Sequence, residues 1–113
     1  MRLQHYFVGF LFAYLICPAT LLAADLTERQ AQLLANNCVQ CHARANIGAP
    51  IMGNPADWKV RSKQGEEKLL ANVITGVRGM PPLGYCSACT EQDFRALIRM
   101  MANLPDPKPG TAK

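Results

Sequence analysis

The chain has 113 residues, enough for one small domain, and it carries 12 Lys and Arg against 8 Asp and Glu for a formal net charge of +4. Arg2 supplies one of those charges, which leaves a modest +3 on the rest of the chain. That balance argues against a strong attraction to nucleic acid or to a charged membrane surface.

Residues 1–24 read as a secretory signal: Arg2 near the terminus, an apolar run from Tyr6 to Ile16, a break at Pro18, then Ala23 and Ala24. Export to the periplasm is the expected consequence. An uncleaved membrane anchor is the alternative, because Tyr6 to Ala24 is mostly apolar and near the length that spans a bilayer, although Pro18 favours the signal. Lipidation at Cys17 is disfavoured by Ile16, which is larger than the residue that usually precedes such a site.

After the leader, Thr27 with Gln30 makes a capping-box pattern that starts a helix. Ala31, Leu34, Ala35 and Cys38 follow at helical spacing, so one apolar face is expected to run into Cys38-Val39-Gln40-Cys41-His42. That C-x-x-C-H run reads as a covalent attachment site for c-type haem. Two thiols three residues apart can add to the two vinyl groups of one porphyrin, and the next residue then lies under the iron. Cys38 and Cys41 are therefore candidate thioether anchors and His42 the proximal iron ligand. A zinc half-site or a redox dithiol would use the same two cysteines. The haem reading also answers a packing problem, since residues 25–113 are few for a stable core made of side chains alone, and a buried porphyrin adds apolar volume.

Beyond His42 a loop is expected at Gly48-Ala49-Pro50, then a short helix capped by Asn54 with Pro55 in its first position and running to about Ser62. Glu66 to Thr75 reads as a third helix with Leu69, Leu70 and Val73 apolar and Gly76 as its stop. Thr90 with Asp93 caps a last helix whose Phe94, Leu97, Ile98 and Met101 form one stripe. No stretch alternates like a strand. Three prolines keep the tail over 105–113 out of regular structure, so the domain is expected to span 25–104.

A six-coordinate iron needs a second ligand, for which a thioether is a common choice. Met1 leaves with the leader, Met100 and Met101 belong to a helix, and Met52 is close to His42 in sequence. Met80 remains, in a Gly- and Pro-rich stretch, Gly79 to Gly84, where no helical stripe claims it. Filling a packing gap is the plainer role for such a methionine. The pair Cys86 and Cys89 lacks a following histidine, and in an oxidising compartment a disulfide is its natural reading. A four-cysteine zinc site joining both pairs would need an unusually long spacing between Cys41 and Cys86.

From Cys38 to Met101 the chain resembles the class I c-type cytochromes, and among them the cytochrome c5 family. The resemblance rests on C-x-x-C-H, Gly48-Ala49-Pro50, Trp58 with Arg61, Gly76, Met80-Pro81-Pro82 and the Cys86/Cys89 pair before a C-terminal helix. Ala45 departs from it, standing where the family usually has glycine. The resemblance implies an all-α fold of about four helices around one haem c, with the first and last helices crossing. It further implies that the Pro50 carbonyl accepts the second ring N–H of His42. Trp58 and Arg61, three residues apart on one helix face, are placed so that both can donate to a haem propionate; core packing is the alternative for Trp58, and a solvated charged face for Arg61.

The function implied is that of a periplasmic monohaem electron carrier, not an enzyme, with a protein donor and a protein acceptor. No nucleic acid is expected as a partner, and membrane association only if weak or through a retained leader. The alternative is a haem protein whose iron opens to bind a small molecule or peroxide.

Overall fold

Thr27 opens the first helix by the expected reciprocal bonds. Its hydroxyl accepts the Gln30 N–H at 3.2 Å, and the Gln30 side chain accepts the Thr27 N–H at 3.1 Å. The computed structural model describes residues 25–107; the expected leader and the end of the tail, 108–113, lie outside the described residues.

From that cap, α1 (Glu28–Leu33) passes without a break through a π-helical turn, Leu34–Cys38, into α2 (Val39–His42). Asn37 accounts for the wide turn. Its side chain donates to the Leu33 carbonyl at 2.9 Å, the acceptor its own N–H would use in an α-helix, and the Val39 N–H reaches back to Leu34 instead. The expected stripe is kept only in part. Ala31 and Ala35 are exposed, and the rod packs through Leu33, Leu34, Cys38 and Val39.

Asn54 accepts the Ala56 N–H and Pro55 opens α3 (Pro55–Trp58). This helix is shorter than the expected run to about Ser62: the chain tightens into a 3-10 turn, Ser62–Gln64, before Gly65. The next helix, α4 (Glu66–Thr75), keeps its expected bounds, with Leu69 and Leu70 buried and Val73 against the core. A left-handed turn at Pro82–Tyr85 packs on α4, and then Thr90 and Asp93 cap α5 (Glu91–Ala102). The four residues of the expected stripe, Phe94, Leu97, Ile98 and Met101, are all buried. At the far end Asn103 turns left-handed, the N–H groups of Asn103 and Leu104 both donate to the Arg99 carbonyl, and Leu104 folds back onto the core.

Polar bridges at both ends of α5 align these units. Arg99 grips Glu66 of α4 with two bonds, at 2.6 and 2.7 Å, and Arg95 adds a third at 3.1 Å. Arg29 of α1 meets the buried Asp93 carboxylate at 2.6 Å and the Ala88 carbonyl at 2.8 Å. The described residues form four helical units, counting 28–42 as one, and contain no strand, only an isolated pairing of Val77 with Met80. This is the all-α class I cytochrome c fold.

Candidate haem-binding site

The rod 28–42 ends in the attachment motif, so the site begins where backbone hydrogen bonding runs out. Cys38 closes the π turn, half-buried, and burial pushes its thiol pKa up. Cys41 is exposed, and both thiols are free. His42 is buried, and its Nδ1–H donates to the Pro50 carbonyl at 2.7 Å. With the proton on Nδ1, the lone pair of Nε2 is left as a metal donor.

The loop makes its return to Pro50 through left-handed residues at Asn46, φ 65°, and Gly48, φ 82°. Ala45 is not among them. Asparagine tolerates that conformation better than other side chains, so the chain turns beside Ala45 without needing glycine there.

Helix α3 then clamps the loop by a single residue. The Ile51 N–H donates to Asp57 at 2.8 Å, and the Ile51 carbonyl accepts the indole N–H of Trp58 at 2.9 Å. The Trp58 ring lies 6.1 Å from the His42 ring, 23° from parallel. These bonds alter the expected part of Trp58. An indole has one N–H, and here it serves Ile51, leaving none for a propionate. Arg61 donates to the Asp57 carbonyl through one of its five N–H groups and keeps the others. It lines a cavity of about 410 Å³ with Ala45, Pro50, Ile51 and Asp57. Sequence reasoning missed Asp57 and Ile51. An acid in the first turn after Asn54-Pro55 was the available signal for Asp57, whereas a backbone clamp on Ile51 leaves no mark on residue type.

Met80 comes from another segment. After Gly76 the chain reverses at Arg78, φ 49°, and Gly79, φ 95°, with Val77 and Met80 exchanging backbone bonds at 3.1 and 2.8 Å. Met80 is half-buried, and the Pro82–Tyr85 turn that follows touches the π turn ending in Cys38. Cys86 and Cys89 are bonded to each other, with Cα atoms 5.4 Å apart. Among the described residues no group of three or more His, Cys, Asp or Glu side chains converges to hold a metal ion, so the four-cysteine zinc alternative has no geometry behind it.

These residues fit a covalently attached haem: two free thiols and a buried imidazole with its outer nitrogen available, while the second cysteine pair is occupied with itself. They also set the chain among known proteins. Residues 25–101 match the family model described as cytochrome C oxidase, cbb3-type, subunit III. Cytochrome c5 of Ectopseudomonas mendocina is 36% identical over 74 residues, covering 64% of this chain and 85% of that protein. Cytochrome c5 of Azotobacter vinelandii is also 36% identical, covering 64% and 89%. Cytochrome c55X of Stutzerimonas stutzeri is 30% identical over 86% of this chain and 88% of its own. A chain in the crystal structure of an electron transfer complex of nitrite reductase with cytochrome c superposes with a TM-score of 0.62 at 34% identity, covering 71% of this chain and 98% of that one. With nearly the full length of two cytochromes c5 matched and the helix-borne C-x-x-C-H motif in place, the chain belongs to the cytochrome c5 family of class I c-type cytochromes.

Proposed function

We propose that this protein is a periplasmic monohaem electron carrier whose iron is held by His42 and Met80. The observation that carries the reading is the His42 Nδ1–H bond to the Pro50 carbonyl, next to two free cysteines. It fixes the tautomer, orients the ring and raises the basicity of Nε2. Cys38 and Cys41 would anchor the porphyrin, since His42 follows that pair and Thr90 follows the other. Bound haem would supply a one-electron Fe(III)/Fe(II) couple.

The chain's part is to hold that couple still. Asp57 and Trp58 fix the carbonyl loop, the 76–80 turn presents Met80, and Arg61 has donors left for a propionate. A carrier needs protein partners, and the neighbour from the nitrite reductase complex supports a protein donor and a protein acceptor rather than a substrate. The reading assigns 1–24 to an export leader, 25–104 to the carrier domain and 105–113 to a tail.

The test is the reduced-minus-oxidised absorption spectrum of protein expressed with the c-type maturation machinery. A c-type spectrum is expected, with pigment that stays on the chain through acid-solvent extraction and is lost in the Cys38→Ala, Cys41→Ala double variant. Pigment that extracts from the wild type would overturn covalent attachment. Ready binding of carbon monoxide by the reduced wild type at neutral pH would overturn the carrier in favour of an open-iron enzyme.

A further inference from the structure

Met80 is bounded at both ends by glycines. A Cβ placed on Gly76 would meet the Met80 carbonyl oxygen at 2.8 Å and the Pro82 nitrogen at 3.0 Å. A Cβ on Gly84 would lie 3.3 Å from the Met80 methyl carbon, Cε. Gly48, Gly53, Gly65 and Gly79 also have positive φ, yet a Cβ on any of them would enter open space.

Backbone conformation favours glycine at both positions, and Gly84 has a contact to explain as well. Gly84 has φ 53°, and its two neighbours reach the same region with full side chains: Leu83 at φ 61° and Tyr85 at φ 62°. A turn that accepts leucine and tyrosine left-handed does not require glycine between them for φ alone. What is particular to position 84 is the contact with the Met80 methyl. The turn is also held in place, because the Gly84 N–H donates to the Pro81 carbonyl at 3.0 Å and the Cys86 N–H to the Leu83 carbonyl at 2.9 Å. The backbone cannot easily withdraw from a side chain added there, so the thioether would have to move.

We propose that Gly84 is a positioning residue for Met80: the absent side chain at 84 forms the seat of the thioether methyl, and Gly76 forms the seat of the Met80 backbone. This rests on the reading of Met80 as an iron ligand. Gly84→Ala then leaves attachment intact but requires the Met80 methyl to give by a few tenths of an ångström, which strains its rotamer and weakens its hold on iron. An off-rotamer side chain corresponds to a rise in apparent affinity for a competing ligand of about twofold to tenfold.

The experiment compares ferric Gly84→Ala holoprotein with wild type, each also in a Met80→Ala background. Gly84→Ala is expected to lose intensity in the sulfur-to-iron absorption band and to bind added imidazole more tightly. In a Met80→Ala background, Gly84→Ala is expected to add nothing to imidazole affinity. No change in Gly84→Ala, or the same added effect without Met80, would overturn the proposal. The wild type offers a test that needs no variant: nuclear Overhauser contacts between the Met80 methyl and the Gly84 α-protons in reduced holoprotein, whose absence overturns it equally. If Met80→Leu keeps the absorption band, it is the ligand reading that fails, a result separable from the rest.

Discussion

The Pro50 carbonyl oxygen lies 2.7 Å from Nδ1 of His42, and the next carbonyl, Ile51, is held by Trp58 at 2.9 Å. The imidazole is therefore positioned by α3 through one intervening residue. Trp58→Phe keeps a ring beside His42 but leaves the Ile51 carbonyl unpaired. The expected cost is about 1–3 kcal/mol in denaturant unfolding. A loosened Pro50 bond makes His42 a weaker donor, so the reduction potential should rise. Wild-type stability and potential in this variant would show that the clamp is dispensable.

Met80 predicts the opposite sign. A neutral thioether favours Fe(II) relative to imidazole, so Met80→His should stay low-spin and six-coordinate while its potential falls. Met80→Ala should admit added imidazole or carbon monoxide. A redox titration with ligand binding reads both, and a Met80→His potential at or above wild type would contradict the ligation.

Glu66 and Glu67 both contact Arg95, yet they should differ in weight. Glu66 is 22% exposed and also takes two bonds from Arg99, whereas Glu67 is 81% exposed. Water screens the outer pair and competes for it far more. Glu66→Gln is expected to destabilise by about 1–2 kcal/mol, as loss of charged hydrogen bonds implies. Glu67→Gln should stay within about 0.5 kcal/mol of wild type. Equal effects on thermal unfolding would mean that the α4–α5 bridge does not depend on burial.

Asp93 should govern the acid limb of stability. Arg29 first, then the Thr90 backbone and hydroxyl, hold its carboxyl well below the usual carboxylate range. A depressed folded pKa adds stability that is complete above the unfolded value, near 4, and drains away as pH falls through the folded one. Unfolding temperature should therefore drop below about pH 4. Asp93→Asn should start lower at pH 7 and lose less on acidification, and Arg29→Ala should also start lower and shrink the drop, because it raises the folded pKa towards the unfolded one. An acid limb identical in Asp93→Asn would exclude this carboxylate as its source.

The two cysteine pairs should also be chemically distinct in exported protein. Peptide mapping without reduction is expected to find Cys86 linked to Cys89, and Cys38 and Cys41 on the haem peptide. Stoichiometric zinc, or free thiols at Cys86 and Cys89, would contradict that division.

Where the sequence alone determined this protein, the signal was local and redundant. Thr27 with Gln30, Thr90 with Asp93, and Asn54 with Pro55 start their helices because each cap is satisfied within three residues. The stripe Phe94, Leu97, Ile98 and Met101 is buried because a helix brings that spacing onto one face. The C-x-x-C-H run is legible for the same reason: its chemistry is contained in five consecutive residues.

Tertiary structure decided whatever depended on where a backbone group ends up. Asn37 takes the Leu33 carbonyl where the first helix widens, and Ala31 and Ala35 are exposed against their periodicity. Trp58 spent its one donor on Ile51, a choice made by the path of the loop rather than by the indole. Gly84 looked like any turn glycine until the Met80 methyl was found against it. Each of these turns on a carbonyl or a methyl arriving from another segment, and such positions are set by packing. Residue type at a single position cannot encode them, because the partner is chosen only when the helices close on one another.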